Sequence, residues 1–153
     1  MIVKPPLSSG SPMKTVTNNL KSLIADNFLV YYKAHTFHLN VTGPGFQQYH
    51  ELFGEVYDKL WDWHDTLAEQ LRQGGDKYEL NLKDVLNGSA ISDDAVGKSV
   101  ANMFSALCSD LDSLLSLAER IYESSDPALG TVIGDYCADV KKLKWKIDAT
   151  TSK

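Results

Sequence analysis

The spacing of apolar residues in the first half of the chain predicts two long helices. Apolar side chains recur every three or four positions over about 16–41 and again over about 46–72. Gly43-Pro44-Gly45 separates the two runs, because glycine and proline interrupt helices, and Gly74-Gly75 ends the second. The pattern therefore predicts a helical hairpin in this half.

The second half of the chain predicts a short helix and two more long ones. The short helix is expected around 80–86 and is closed by Asn87-Gly88. The third long helix is predicted to start near Ser92-Asp93-Asp94, whose side chains suit an N-cap, and to carry Val96 on its apolar side. The fourth begins after Asp126-Pro127, with proline in its first turn, and runs to about 149.

Four long helices with a longer middle connection predict an all-α fold, a four-helix bundle of ferritin type. The chain has 153 residues, of which 43% are hydrophobic, and this suffices for one core and one domain. We expect a mobile N-terminal tail over 1–15, the bundle over 16–149 and a short C-terminal tail over 150–153.

Composition narrows the cellular setting. No run of about 18 apolar residues is present, which argues against a membrane span. The N-terminus lacks the apolar centre of a signal peptide, so a cytoplasmic protein is expected. Cys108 and Cys137 show no metal-type spacing and are expected to be buried free thiols.

The predicted hairpin carries two imidazoles and two carboxylates that could bind iron. His38 lies at the end of the first helix and His50 near the start of the second, while Asp65 and Glu69 share one face of the second helix four residues apart. This mixed nitrogen and oxygen set suits Fe(II), with Zn(II), Mn(II) and Co(II) as competitors. The Glu-x-x-His motif of di-iron sites built within one chain is absent.

One chain cannot bring these four side chains together. His50 and Asp65 are fifteen positions apart on one helix, which separates them by roughly 22 Å. If two such helices pack antiparallel about a two-fold axis, the histidine end of one lies beside the carboxylate end of the other. The geometry predicts two equivalent sites per dimer, each with the histidines of one chain and the carboxylates of its partner.

The hairpin resembles the Dps family of miniferritins. The resemblance rests on KAHTFHLNVTGPGFQQYHELF, which starts at Lys33, and HDTLAEQLRQGG, which starts at His64. Over about 18–149 it extends to the pattern of helices. It implies that the family's iron-binding histidines correspond to His38 and His50, and its carboxylates to Asp65 and Glu69.

The resemblance also implies an activity and an assembly. A member of this family would form a hollow homo-dodecamer, oxidise Fe(II) preferentially with hydrogen peroxide, store the ferric mineral and thereby protect DNA. His38, Asp65 and Glu69 would hold the primary iron, and His50 would assist a second iron through water. The enzyme class would be a ferroxidase, in the cytoplasm and associated with the nucleoid.

This chain departs from the family's motif at two positions. The family usually has aspartate four residues after the second iron histidine, where this chain has Gly54, and tryptophan after the first, where it has Leu39. A mono-iron or a di-iron site therefore stays open. Another carboxylate could replace the missing ligand, and the neighbouring ones are Glu51, Glu55 and Asp58. The alternative function is a non-enzymatic cage or DNA-packing protein whose oxidation site was weakened at Gly54.

Charge argues against tight DNA binding. The formal net charge is −5, whereas contacts with phosphate need clustered lysine and arginine. Basic residues nonetheless concentrate near the C-terminus, and weak DNA binding would rest on them: Lys141, Lys142, Lys144, Lys146 and Lys153.

Other polar residues have simpler expected roles. His35 and His64 are expected to be packed, hydrogen-bonded side chains. The acidic stripe of the second helix, considered alone, would be a solvated face. The aromatic residues around it, Tyr57, Trp61 and Trp63, indicate in addition a dimer interface. Asp126, Asp135 and Asp139 resemble the acidic region of the family's three-fold iron pore.

Overall fold

The computed structural model describes residues 12–152, with side chains from Lys14 onward. Within this range the chain forms five helices and no strand. The helices are α1 (Pro12–Asn40), α2 (Phe46–Gln73), α3 (Leu82–Gly88), α4 (Val100–Glu123) and α5 (Pro127–Thr151). The predicted all-α fold, with a short helix in the long middle connection, is confirmed.

The four long helices pack as two hairpins. α1 pairs with α2, α4 pairs with α5, and the hairpins meet where α1 packs on α4 and α2 packs on α5. Among the helices of residues 12–152, α3 contacts only α1. The apolar side chains that the spacing placed on one face of each helix fill the centre, and the largest fully buried ones include Phe37, Phe53, Leu60, Leu107 and Tyr136.

Buried polar groups join the helices at the centre of the bundle. The Asn27 amide donates to the carbonyl of Leu60 at 2.8 Å and accepts from the Tyr136 hydroxyl at 3.0 Å, which links α1, α2 and α5. Lys33 and Asp110 form a buried ion pair at 2.7 Å between α1 and α4. These contacts fix the register of the helices, because a shift would leave buried polar groups without partners.

The third long helix starts later than the sequence pattern predicts. α4 begins at Val100, and its N-cap is Ser99, whose hydroxyl accepts from the Asn102 amide at 3.2 Å. The Ser92 hydroxyl instead accepts from the Asp94 amide at 2.9 Å, a local turn that uses the same residue types as a cap. Gly97 has a positive φ of 72°, which prevents a continuous helix there. The prediction that Val96 lies on the apolar side of this helix was wrong, because Val96 precedes α4 and is 81% exposed.

The ends of the bundle also differ from the expected bounds. α1 begins at Pro12, so residues 12–15 of the predicted N-terminal tail are helical, and residues 1–11 lie outside the described range. α5 extends to Thr151, into the predicted C-terminal tail, and Lys153 also lies outside the description. None of the helices in the described range is long and apolar enough to cross a membrane.

Both cysteines in the described range are free, as predicted, although they are half-buried and not fully enclosed. The Cys108 thiol donates to the Asp148 carboxylate at 2.8 Å. Burial and this carboxylate raise the pKa of Cys108 to about 11. Burial likewise raises the pKa of Cys137. Neither thiol is therefore activated as a nucleophile.

Candidate metal centre

His38 and His50 form a tightly constrained pair at the closed end of the α1–α2 hairpin. Their rings stack with centroids 3.7 Å apart and an interplanar angle of 19°. Nδ1 of His38 lies 2.7 Å from the carbonyl oxygen of His50, and Nδ1 of His50 lies 2.7 Å from that of His38. A carbonyl can only accept, so each Nδ1 carries the proton and donates it. In the neutral imidazole this leaves the lone pair on Nε2, the atom that would then bind a metal.

The loop between the helices sets this pair. Gly43 and Gly45 have positive φ angles of 91° and 84°, which glycine adopts without strain. A Cβ at position 45 would lie 2.6 Å from the Tyr49 ring, so a side chain there would collide with α2. The Phe46 amide donates to the Gly43 carbonyl at 3.0 Å and closes the turn. The short turn holds His38 and His50 close enough for each imidazole to donate to the backbone carbonyl of the other residue.

Packing within one chain explains why position 54 is occupied by glycine. It is buried, and an added Cβ would lie 3.3 Å from both Cε1 and Nδ1 of the His38 ring. That distance is tighter than ordinary van der Waals contact. The missing side chain thus leaves room for the His38 imidazole against α2. Glycine at this position also means that the carboxylate usual in the family is absent.

The carboxylates lie toward the other end of α2. Asp65 and Glu69 are exposed and line an open groove with Trp61, Arg72 and Tyr78. The pKa of Glu69 is raised because it shares a hydrogen bond with Asp65, and repulsion by that carboxylate adds to the effect. Two adjacent carboxylates that repel each other favour binding of a cation, which relieves the repulsion.

No complete site forms within one chain. Among residues 12–152, no group of three or more histidine, cysteine, aspartate or glutamate side chains could hold a metal ion. The histidine pair and the carboxylate pair, here called half-sites because each would supply part of a metal centre, lie toward opposite ends of α2, and helical rise separates them by roughly 22 Å.

The carboxylates suggested as replacements at position 54 have other surroundings. Glu51 accepts from Gln47 at 2.7 Å, and Glu55 pairs with Lys146 of α5 at 2.5 Å. Asp58 lines a groove with Glu55 and residues of α5. Glu55 and Asp58 therefore lie on the α5 side of α2, whereas position 54 faces His38 of α1.

The two remaining histidines are packed against aromatic rings, as predicted, but of the two only His64 has a hydrogen-bond partner among the described residues. His35 packs on Tyr57 with ring centroids 4.4 Å apart. His64 Nε2 lies 2.8 Å from the Tyr78 hydroxyl, and its ring stacks on Trp61 at 6.0 Å with an angle of 10°. Burial lowers the pKa of His64. The contact between Tyr78 and His64 was not predicted, because the segment that contains Tyr78 has no helical periodicity.

The acidic residues at the start of α5 have structural partners. Asp126 is the N-cap of α5 and accepts from the Leu129 amide at 2.8 Å. Asp139 accepts from the Trp63 indole at 2.8 Å. Asp135 is exposed and lines a groove with Asp126. Asp126 and Asp139 therefore have partners within the chain, and the resemblance of the three carboxylates to a pore lining stays a prediction.

Comparison with known proteins identifies the family. The model of the ferritin-like domain matches residues 17–153. A DNA protection during starvation protein of Brevibacillus brevis is 31% identical over 134 residues, 85% of this chain and 90% of that one. The chain belongs to the Dps family.

A second relative and a solved structure agree with this assignment. DNA protection during starvation protein 2 of Bacillus anthracis is 29% identical over 141 residues, 89% of this chain and 96% of that one. The crystal structure of a Dps protein from Bacillus brevis superposes with a TM-score of 0.86 at 28% identity, over 93% of this chain and 98% of that one. The Dps fold therefore spans almost the whole chain.

Proposed function

We propose that this Dps-family protein is a ferroxidase that assembles as a hollow dodecamer, oxidises Fe(II) at inter-subunit sites with hydrogen peroxide and stores the ferric product. The observation that carries the proposal is the division of imidazole and carboxylate ligands between the two ends of the α1–α2 hairpin. His38 and His50 present free Nε2 atoms at one end, and Asp65 and Glu69 present paired carboxylates at the other. Two-fold pairing of antiparallel hairpins would join them.

The donor set suits Fe(II) as substrate. Imidazole nitrogen and carboxylate oxygen are both ligands that Fe(II) accepts, and the two carboxylates offset the charge of the ion. His38, Asp65 and Glu69 would bind the primary iron. Because Gly54 supplies no ligand, a second iron would retain only His50 and would bind weakly. We therefore expect one well-occupied iron per site and slower oxidation than in a site with the aspartate.

Protection of DNA would follow from the chemistry of the site. Consuming Fe(II) and peroxide together removes the reactants that generate hydroxyl radicals. DNA protection is also the role named for the relatives from Brevibacillus brevis and Bacillus anthracis. This protection does not require direct contact between the protein and DNA. We expect the protein to act in the cytoplasm, where it would share the compartment of the nucleoid.

The alternative is a cage that stores or packs without oxidising iron, and it is favoured by the loss of the carboxylate at position 54. Light scattering tests the assembly: a stable monomer or isolated dimer at neutral pH would exclude both functions. Oxidation of Fe(II) by added peroxide separates them, since a dodecamer that leaves the oxidation rate at the protein-free value would be a passive cage.

Variants locate the activity at the proposed carboxylates. Asp65→Asn and Glu69→Gln should each abolish tight Fe(II) binding in anaerobic titrations, because each removes charge and coordination. Asp58→Asn is the matched control, an exposed carboxylate on the same helix that faces α5 and lies outside the groove lined by Asp65 and Glu69. If the control lost binding as fully as the other two, the stripe as a whole, and not a defined site, would bind iron.

A further inference from the structure

A row of contacting aromatic rings runs along the α1–α2 hairpin and connects the two half-sites. In order, the aromatic row consists of His38, Tyr57, Tyr31, Trp61, His64 and Tyr78. Successive ring centroids are 5.0, 6.3, 5.0, 6.0 and 5.7 Å apart. His35 lies beside the widest step, 4.4 Å from the Tyr57 ring and 6.0 Å from the Tyr31 ring.

The two ends of the aromatic row coincide with the two half-sites. Tyr57 packs edge-on against the His38 ring. At the other end, Trp61 and Tyr78 line the same groove as Asp65 and Glu69. In the proposed dimer these ends belong to different inter-subunit sites, because each chain gives its histidines to one site and its carboxylates to the other. The row would therefore connect the two iron sites of a dimer.

We propose that the aromatic row carries electrons between the two iron sites of a dimer, a role that rests on the proposed function. Reduction of hydrogen peroxide to two waters takes two electrons and two protons. A site that binds one Fe(II), as Gly54 predicts, supplies only one electron. The row supplies the second, when a tyrosine or tryptophan of the row loses an electron and its O–H or N–H proton.

The reaction balances when Fe(II) at the second site reduces the aromatic radical. Fe(II) at the second site gives its electron to the row, the oxidised ring regains its proton from solvent, and the ring is restored. The sum is one peroxide, two Fe(II) and two protons converted to two waters and two Fe(III). Each electron passes in short steps between contacting rings, and this is fast because orbital overlap falls steeply with distance. Peroxide is thus fully reduced without a second iron in the same site.

A row of rings could instead serve only to pack the hairpin or the dimer interface. The two roles differ in what they require of each side chain. Packing requires shape, which Tyr→Phe largely preserves. Electron transfer requires a ring that is readily oxidised, which Tyr→Phe removes. Variants of this kind therefore separate the two roles.

The first experiment uses the full-length protein without iron. Pulse radiolysis in azide solution oxidises tryptophan in one electron, and absorbance then follows conversion of the tryptophan radical to a tyrosine radical. We expect a fast conversion whose rate is independent of protein concentration. The comparison is made in a Trp63→Phe background, because the Trp63 ring lies 5.3 Å from Tyr136 outside the row. In that background Trp61→Phe should remove this phase, and so should Tyr31→Phe combined with Tyr78→Phe, which removes the tyrosines on both sides of Trp61. Trp145→Phe, at a 64% exposed site on α5 outside the row, should retain it.

The second experiment measures how many Fe(II) ions each peroxide oxidises, in protein loaded with one Fe(II) per site. We expect two in the wild type, and a fall toward one in Trp61→Phe with a persistent protein radical detected by electron paramagnetic resonance. Light scattering confirms that each variant assembles as the wild type does. Retention of the fast phase when Trp61→Phe, or Tyr31→Phe with Tyr78→Phe, is made in the Trp63→Phe background would overturn the inference. Two Fe(II) oxidised per peroxide in Trp61→Phe would overturn it as well. Failure of the proposed function differs, since the wild type would then bind no Fe(II) while the iron-free radical transfer stayed intact.

Discussion

Replacement of Gly54 by alanine tests whether the His38 ring determines what position 54 can hold. In an unobstructed helix interior, Gly→Ala stabilises by about 1 kcal/mol. Here the new Cβ would lie 3.3 Å from two atoms of the His38 ring. The ring cannot move away freely, because its Nδ1 is bonded to the His50 carbonyl at 2.7 Å and the two rings are stacked. Weakening that hydrogen bond would cost about 0.5–1.5 kcal/mol.

The two effects nearly cancel, so we expect Gly54→Ala to change the free energy of unfolding by less than ~0.5 kcal/mol. Denaturant unfolding of the metal-free protein at one fixed concentration measures it, since oligomer stability depends on concentration. A gain of the full ~1 kcal/mol would show that the His38 ring is not held against α2, and the account of Gly54 would be wrong.

Gly54→Asp extends the test from packing to chemistry. The aspartate restores the carboxylate that the family usually has here, and we expect Fe(II) bound per site to rise from one toward two, with faster oxidation. Gly54→Asn is the matched control, with the same shape and contact with His38 but no charge, and should stay at one. Two fully occupied irons in the wild type would mean that another side chain already supplies the missing ligand.

Three further predictions concern the rest of the chain. DNA binding should be weak and lost steeply with salt, because twelve copies would carry roughly −60 and three C-terminal lysines already pair with acids. Tight gel retardation of DNA at physiological salt, unchanged when the five C-terminal lysines are replaced by glutamine, would contradict this. Tyr136→Phe should destabilise by about 1–3 kcal/mol in denaturant unfolding, because the Asn27 amide oxygen would lose its buried donor. Cys108 has a pKa of about 11 against an ordinary 9.0, so alkylation of its thiol at pH 8 should be up to ~100-fold slower than alkylation of a free thiol. Asp148→Asn should speed the reaction, because removing the carboxylate lowers that pKa.

The sequence predicts the hairpin and its ligands because the signals there are local. Gly43-Pro44-Gly45 ends one helix and the periodicity resumes at once, so the positions of His38 and His50 follow closely. The separation of the half-sites follows from helical rise alone. The start of α4 was missed because Ser92 forms a turn with the same hydrogen-bond chemistry as a helix cap.

Features that depend on how helices cross were not predictable from spacing. The reciprocal bonds between the histidine rings and backbones join residues twelve positions apart on different helices. The contact of His38 with Gly54 likewise requires the final approach of α1 to α2. Tyr57 and Trp61 could be recognised as unusual for a solvated face, but their continuity with Tyr31 of α1 arises only when the helices are packed.

The most direct test of the shared site is complementation between two inactive variants. His38→Ala lacks one half-site and Glu69→Ala the other, so each variant assembled alone should fail to bind Fe(II) tightly. In a dimer of one of each, one site combines the intact histidines of the second chain with the intact carboxylates of the first. Co-expression with random pairing should restore about a quarter of the wild-type sites. Fe(II) binding that stays absent in co-assembled dodecamers would contradict the shared site, as would full binding by either variant alone.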